Sequence, residues 1–287
     1  MKNHKEIICY NGKVKIYQED GIWNGEPTHK FFDSKGNTID SVTKYLKHLN
    51  KEALKFWAGV CSAEYIFDNW DENKTYGKEM IKEIVCKASF AFMNILKEKG
   101  GRGKEIHKFA EEYIKGNKPA IPDDPKILNG VNSFLGWYKE TDLIPVETEK
   151  ILYSLKHNIV GVGDLIAKRK KGNTNHIVDY KTVSMYKKAK NWESEQFPDG
   201  LWKDEQGNRK KYPVFIEPRI QVAIYRGMSI EETGKKFGDS YILRFDQETG
   251  DFDNETISAE FQDEAYEMFT KHLKPVSKFL NKYEVKY

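Results

Sequence analysis

Cysteine is scarce, with three residues in 287, at positions 9, 61 and 86. They are odd in number and far apart, and no Cys-x-x-Cys occurs. Within one chain this excludes a structural zinc site or an iron–sulfur cluster held by four cysteines. It fits free thiols in a reducing compartment. Proline is also sparse, at nine residues, which argues against a low-complexity chain. Net charge nearly cancels, with 47 Lys+Arg against 44 Asp+Glu for +3. A globally basic coat is therefore excluded, and any polyanion site must be local. Long apolar runs are missing too. The opening MKNHKEIICYNG has no signal-peptide core, and no stretch approaches the roughly 20 apolar residues that span a bilayer. The expectation is a cytoplasmic protein with no membrane partner.

Hydrophobic residues make up 39% of the chain, with 16 Tyr, 16 Phe and 6 Trp. That is enough to bury a core without disulfide staples. The first forty residues read as short strands, and Asn11-Gly12 signals a two-residue hairpin. From Ser41 the pattern turns helical, with Asp40 or Ser41 as N-cap. Leu54, Trp57, Ala58 and Cys61 stand at helical spacing. A helix is predicted over 77–98, broken by Gly100-Gly101-Arg102-Gly103, and a further one carries Ile106, Phe109, Ala110 and Tyr113. Another is predicted over 124–140, with Asp124 as cap and Pro125 at its first position.

After Pro145 the period changes. PVETEKILYSL, NIVGVGDLIAK and NHIVDYKTV read as consecutive strands, apolar enough to be covered on both faces. Residues 184–216 resist assignment and look like an insertion. A helix over 217–228, a strand SYILRF, and a helix over 259–282 kinked at Pro275 complete the chain. The predicted fold class is α/β, a mixed sheet flanked by helices with a helical N-terminal part. One domain is expected over 1–287, comprising strands (1–40), a helical part (41–140) and a sheet core (141–287).

Two acids interrupt the apolar strands, Asp164 in VGVGDLIA and Asp179 in HIVDYKTV. A buried unpaired carboxylate costs several kcal/mol, so each needs a reason. With a turn near Gly172-Asn173, the two stand opposite each other on antiparallel strands. Gly161 and Gly163 leave room for another group to approach. Lys181 follows Asp179 by two and points to the same face. Two carboxylates and a lysine describe a hard divalent cation site, most simply Mg²⁺, with Mn²⁺ as the substitute.

Gly-x-x-Asp, a strand–turn–strand interval and Asp-x-Lys together resemble the PD-(D/E)xK nuclease superfamily. His107 in GKEIHKFAEEY is similar to the upstream histidine of its RecB-like members. Gln221 and Tyr225 in IQVAIY resemble their Gln-x-x-x-Tyr motif, and Glu149 matches an acid on the preceding strand. SVTKYLKHLNKEALKFWAGVCSAEYI is similar to the N-terminal region of phage-type and mitochondrial genome maintenance exonucleases. The matches span roughly 35–230.

The resemblance implies a restriction-endonuclease-like core and a Mg²⁺-dependent DNA exonuclease acting on single-stranded ends. Such an enzyme belongs to recombination, repair or phage DNA metabolism, encoded by a bacterium, phage or prophage. A single-strand annealing protein is the partner that a viral-type nuclease implies. The implied metal ligands are His107, Asp164, Asp179, the Tyr180 backbone carbonyl and Glu149, with Lys181, Gln221 and Tyr225 completing the catalytic set. The chain departs from the family in its insertion and in lacking a cysteine quartet, so no iron–sulfur cluster carries over.

Residues 168–190 carry a net +7 from Lys168, Arg169, Lys170, Lys171, Lys181, Lys187, Lys188 and Lys190 against Asp179. This stretch is expected to track a nucleic-acid backbone, unless it is an ordinary solvated turn. Trp192, Phe197 and Trp202 beyond it either stack bases or pack a small core of their own. Glu111 and Glu112 read as solvated helix charges, and His157 and His176 as structural. The rivals are a catalytically silent DNA-binding module of the same fold, and an endonuclease or RNA-directed nuclease using the same chemistry.

Overall fold

Apolar β-branched runs and amphipathic helices alternate along the chain, and they build a mixed sheet with helices on both faces. The computed structural model describes residues 4–23, 26–49, 52–186 and 201–283. Among these, nine strands form one sheet. Strands β1 (Lys5–Cys9), β2 (Val14–Trp23), β3 (Glu26–Phe32) and β4 (Thr38–Ser41) come first, as an antiparallel meander. The expected two-residue turn is instead a loop over Tyr10–Lys13, closed by the Cys9–Val14 pair. Tyr10 and Asn11 are left-handed there (φ 53° and 55°). Tyr10 is anchored by its hydroxyl, which donates to Glu231 Oε1 at 2.6 Å, and this tertiary bond sets the longer loop.

Ser41 caps α1 (Val42–Leu46), its hydroxyl accepting from the Lys44 amide. Helix α2 (Glu52–Asp68) packs against α3 (Lys78–Ile114) as an antiparallel hairpin. The predicted break at Gly100–Gly103 does not occur, and α3 runs on for 37 residues. An internal glycine costs a helix only about 1 kcal/mol, and burial of Ile106, Phe109 and Ala110 on the following turns outweighs it. Helix α4 (Pro125–Glu140) starts as its sequence indicates, with Asp124 accepting from Lys126 and Ile127 amides.

Strands β5 (Leu143–Ser154), β6 (Ile159–Arg169) and β7 (Asn175–Val183) are antiparallel neighbours. Helix α5 (Ile216–Thr233) is longer than predicted and ends at the left-handed Gly234 (φ 65°). Strand β8 (Ser240–Asp246) runs parallel to β7, and the unanticipated β9 (Phe252–Ile257) forms an edge beside it. The closing helix is irregular one turn earlier than Pro275. α6 (Ala259–Met268) passes through a π-helical turn over Phe269–Leu273 into α7 (Lys274–Tyr283). A proline nitrogen has no hydrogen to give and its ring crowds the carbonyl four residues back, so the strain falls on that preceding turn.

Strand alternation divides the core between the two faces. Ile166, Ile177 and Ile242 meet Ile220, Ile224 and Met228 of α5 on one. Leu165, Val178, Tyr180 and Leu243 meet α3 and α4 on the other. By parity, Asp164, Asp179 and Lys181 belong to the α5 face.

Candidate active site

The site begins with a fork. Strand β5 occupies one edge of β6 along its whole length. On the other edge, β4 pairs in parallel with Ile159 and Val160, while β7 pairs only with Leu165–Lys168. One step beyond the last pair, Leu165 with Val178, Asp164 and Asp179 face each other where β7 leaves β6. The Tyr180 amide loses its strand partner there and donates instead to Asp164 Oδ2 at 2.6 Å. A side-chain carboxylate thus stands where a ladder carbonyl would. A strand residue directs its N–H and C=O to the same edge, so the Tyr180 carbonyl also opens on the fork.

Asp179 is the floor, 2% exposed, while the side chains of Asp164, His107 and Lys181 are 14%, 27% and 30% exposed. Lys181 Nζ lies 2.5 Å from Asp179 Oδ2 and donates to Gln221 Oε1 at 3.3 Å. Gln221 in turn donates to the Tyr225 hydroxyl at 2.9 Å. The group that Gly161 admits is the Tyr225 ring, since a Cβ at 161 would stand 2.4 Å from its Cε1. From the opposite face, α3 delivers His107, whose Nδ1 is 3.4 Å from Asp164 Oδ1 and whose ring meets Tyr180 edge-on.

Glu149 completes the rim. It lies between the Thr148–Leu165 and Lys150–Gly163 pairs, level with Asp164, in a left-handed conformation (φ 49°). Such a backbone costs a non-glycine residue on the order of 1 kcal/mol or more, and such strain gathers at functional sites.

Burial raises Asp179 to about 6, with Lys181 pulling it back down and Asp164 pushing it further up. Burial opposes ionisation of Asp164 as well, but His107 outweighs it and holds that carboxyl below the usual range. Burial also works against His107 and Lys181, and the neighbouring carboxylates override it and raise both. Glu149 is pushed up to about 7 by burial, then by the charges of Asp164 and Glu111.

Glu111, expected as a solvated helix charge, forms an exposed ion pair with Lys115 one turn on, and its charge adds to the rise at Glu149.

Asp164, Asp179, Lys181, His107, Gln221, Tyr225 and Glu149 therefore gather at one place. Of the basic run, Lys181 is in this group, and the four residues at its start are not. Lys168, Arg169, Lys170 and Lys171 sit at the far end of the β6–β7 hairpin, roughly 13–23 Å along the strand from Asp164. There Arg169 donates to the Tyr241 hydroxyl at 2.7 Å and Lys170 to the Thr141 carbonyl at 3.1 Å. Lys187, Lys188, Lys190, Trp192 and Phe197 lie outside the described residues. Trp202 is half-buried.

Among the described residues no group of three or more His, Cys, Asp or Glu side chains stands arranged to hold a metal ion. The donors nevertheless suit a hard cation in kind. Asp179 Oδ2 is buried and touches Lys181, yet no donor meets it at a hydrogen-bonding angle. Burial raises Glu149 first, and the charges of Asp164 and Glu111 add to it; a divalent cation held among these carboxylates would offset that second, electrostatic part.

No protein-family model matches the chain, and a search of curated proteins finds no significant similarity. No described helix is long and apolar enough to cross a membrane.

Proposed function

We propose that this chain is a divalent-metal-dependent nuclease of the PD-(D/E)xK type, with a restriction-endonuclease-like core and DNA ends as substrate. The observation that carries the reading is the convergence of Asp164, Asp179, Lys181 and His107 where β6 and β7 part. Acids, lysine and histidine come from three separate elements, and the α5 pair Gln221–Tyr225 closes the group.

Asp164, Asp179, His107 and the Tyr180 carbonyl would hold Mg²⁺ or Mn²⁺, with Glu149 as an outer ligand. When bound, the ion offsets charge on a phosphoryl oxygen and lowers the pKa of a water. Lys181 orients the attacking water and meets the charge that develops on the phosphate. Gln221 holds the ammonium in place from one side and Asp179 from the other. Tyr225 positions Gln221 and fills the space that Gly161 and Gly163 leave. His107, as a neutral imidazole, loses its ligand role when protonated.

The test is incubation of end-labelled linear and circular single-stranded DNA with Mg²⁺ or Mn²⁺, with and without EDTA. Degradation of the linear form alone, abolished by EDTA, is expected. Lys181→Met is expected to slow cleavage by about 10²-fold or more while leaving DNA binding within a few-fold. Undiminished cleavage by Lys181→Met, or no cleavage by the wild type with either metal, would remove the reading.

A further inference from the structure

We infer that the α2–α3 hairpin is a self-association surface, built to pair with the same hairpin of a second copy of this chain. Each helix carries two apolar stripes, and the hairpin satisfies only one of them. The inner stripes meet each other through Cys61 on α2 and Ala88 and Ala91 on α3, all buried. Ser62 donates across to the Ala88 carbonyl at 2.9 Å, and Trp57 meets Phe92 edge-on.

The outer stripe of α2 runs Phe56, Val60, Ala63, Phe67, a 4–3–4 spacing, with the two phenylalanines 71% and 79% exposed. The outer stripe of α3 runs through Ile81, Val85, Met93 and Leu96, exposed by 43%, 49%, 61% and 42%. Between Ile81 and Val85 a shallow hollow opens beside the exposed Cys86. The 4–3–4 spacing on α2 is the pattern of helices that receive other helices, knob into hole, and the α3 stripe lies along one face at helical spacing with Ser89 between its halves. Among the described residues α2 packs on α3 and on no other element to a comparable extent, so the body of the protein does not supply the missing cover.

Charge and area select the occupant. Glu52 to Lys99 holds eight acidic and seven basic side chains, net −1 within a chain of +3. A nearly neutral surface of mixed sign neither attracts a polyanion nor repels its own copy. With an aromatic side chain offering on the order of 200 Å², the two stripes leave roughly 600 Å² of apolar surface open. That is at the upper end of what a monomer exposes, and close to the ~800 Å² each partner gives a standard interface. Two hairpins related by a two-fold axis close into a four-helix bundle and leave no stripe bare.

Sedimentation of the full chain from about 1 to 100 µM tests this, because a homodimer's population follows protomer concentration. A species of twice 33.5 kDa is expected. The double variant Phe67→Glu, Met93→Glu is expected to weaken association at least tenfold while keeping the wild-type helical circular dichroism. Maleimide labelling of Cys86 gives an independent reading, slow in the dimer and fast in the variant. A wild type that stays monomeric throughout, or a folded variant that dimerises as well as wild type, overturns the inference. So does a monomer whose hairpin variant loses DNA affinity.

Discussion

Glu149 shows how closely the site is balanced. Its pKa of about 7 lies above the usual 4.5. Below 4.5 both folded and unfolded chains carry the proton, and the carboxyl costs nothing. Between those values the unfolded chain releases a proton that the folded chain retains, so stability falls as pH rises, and above 7 the loss is complete. Glu149→Gln removes the penalty in metal-free protein. It is expected to stabilise by roughly 1–2 kcal/mol at about pH 8, after discounting for partial exposure, and to change little below pH 4.5. Urea unfolding at the two pH values checks both size and sign. Gly161 is a second single-residue test. A methyl group there meets the Tyr225 ring 2.4 Å away. Gly161→Ala is expected to cost about 1–3 kcal/mol in thermal unfolding and to disturb the Gln221–Lys181 contact behind the ring.

At the scale of elements, α3 holds the sharpest contrast between sequence and structure. Gly100 and Gly101 read as a break, yet both are helical, and a Cβ at either meets nothing within 4 Å. Alanine at both is therefore expected to stabilise the chain by about 1 kcal/mol per site. A loss of stability on calorimetric melting would show that the glycines serve a bend. Gly130 behaves oppositely, because there a Cβ would stand 2.2 Å from Ile106 Cδ1, where α3 and α4 cross closely.

What was legible follows from where the local signal is strong. The strands around Asp164 and Asp179 were readable because apolar runs are interrupted by single acids. Helix α4 was readable because Asp124 and Pro125 mark its start. Strand β9 was not, because FDNETI is a half-exposed, polar edge strand with no apolar alternation. The π-helical turn and the fork at β6 were equally hidden, since each depends on contacts far apart in the chain.

For the whole molecule, the site lies where two layers of packing meet. The α5 face brings Asp164, Asp179, Lys181, Gln221 and Tyr225, and the α3 face brings His107 and Glu111. Neither face alone supplies both the aspartates and the imidazole, so a cation held there, as proposed, would tie the layers together. Binding to the folded chain alone must also raise its stability. Ligands that gain a metal give up protons, which makes the affinity fall with acidity. Calorimetric titration of Mn²⁺ into the wild type and into the Asp164→Asn, Asp179→Asn double variant examines this most directly. Saturable binding by the wild type, lost by at least tenfold in a folded double variant, is the predicted result. Absence of binding to the wild type, or equal binding to both proteins, would contradict a cation site at the fork.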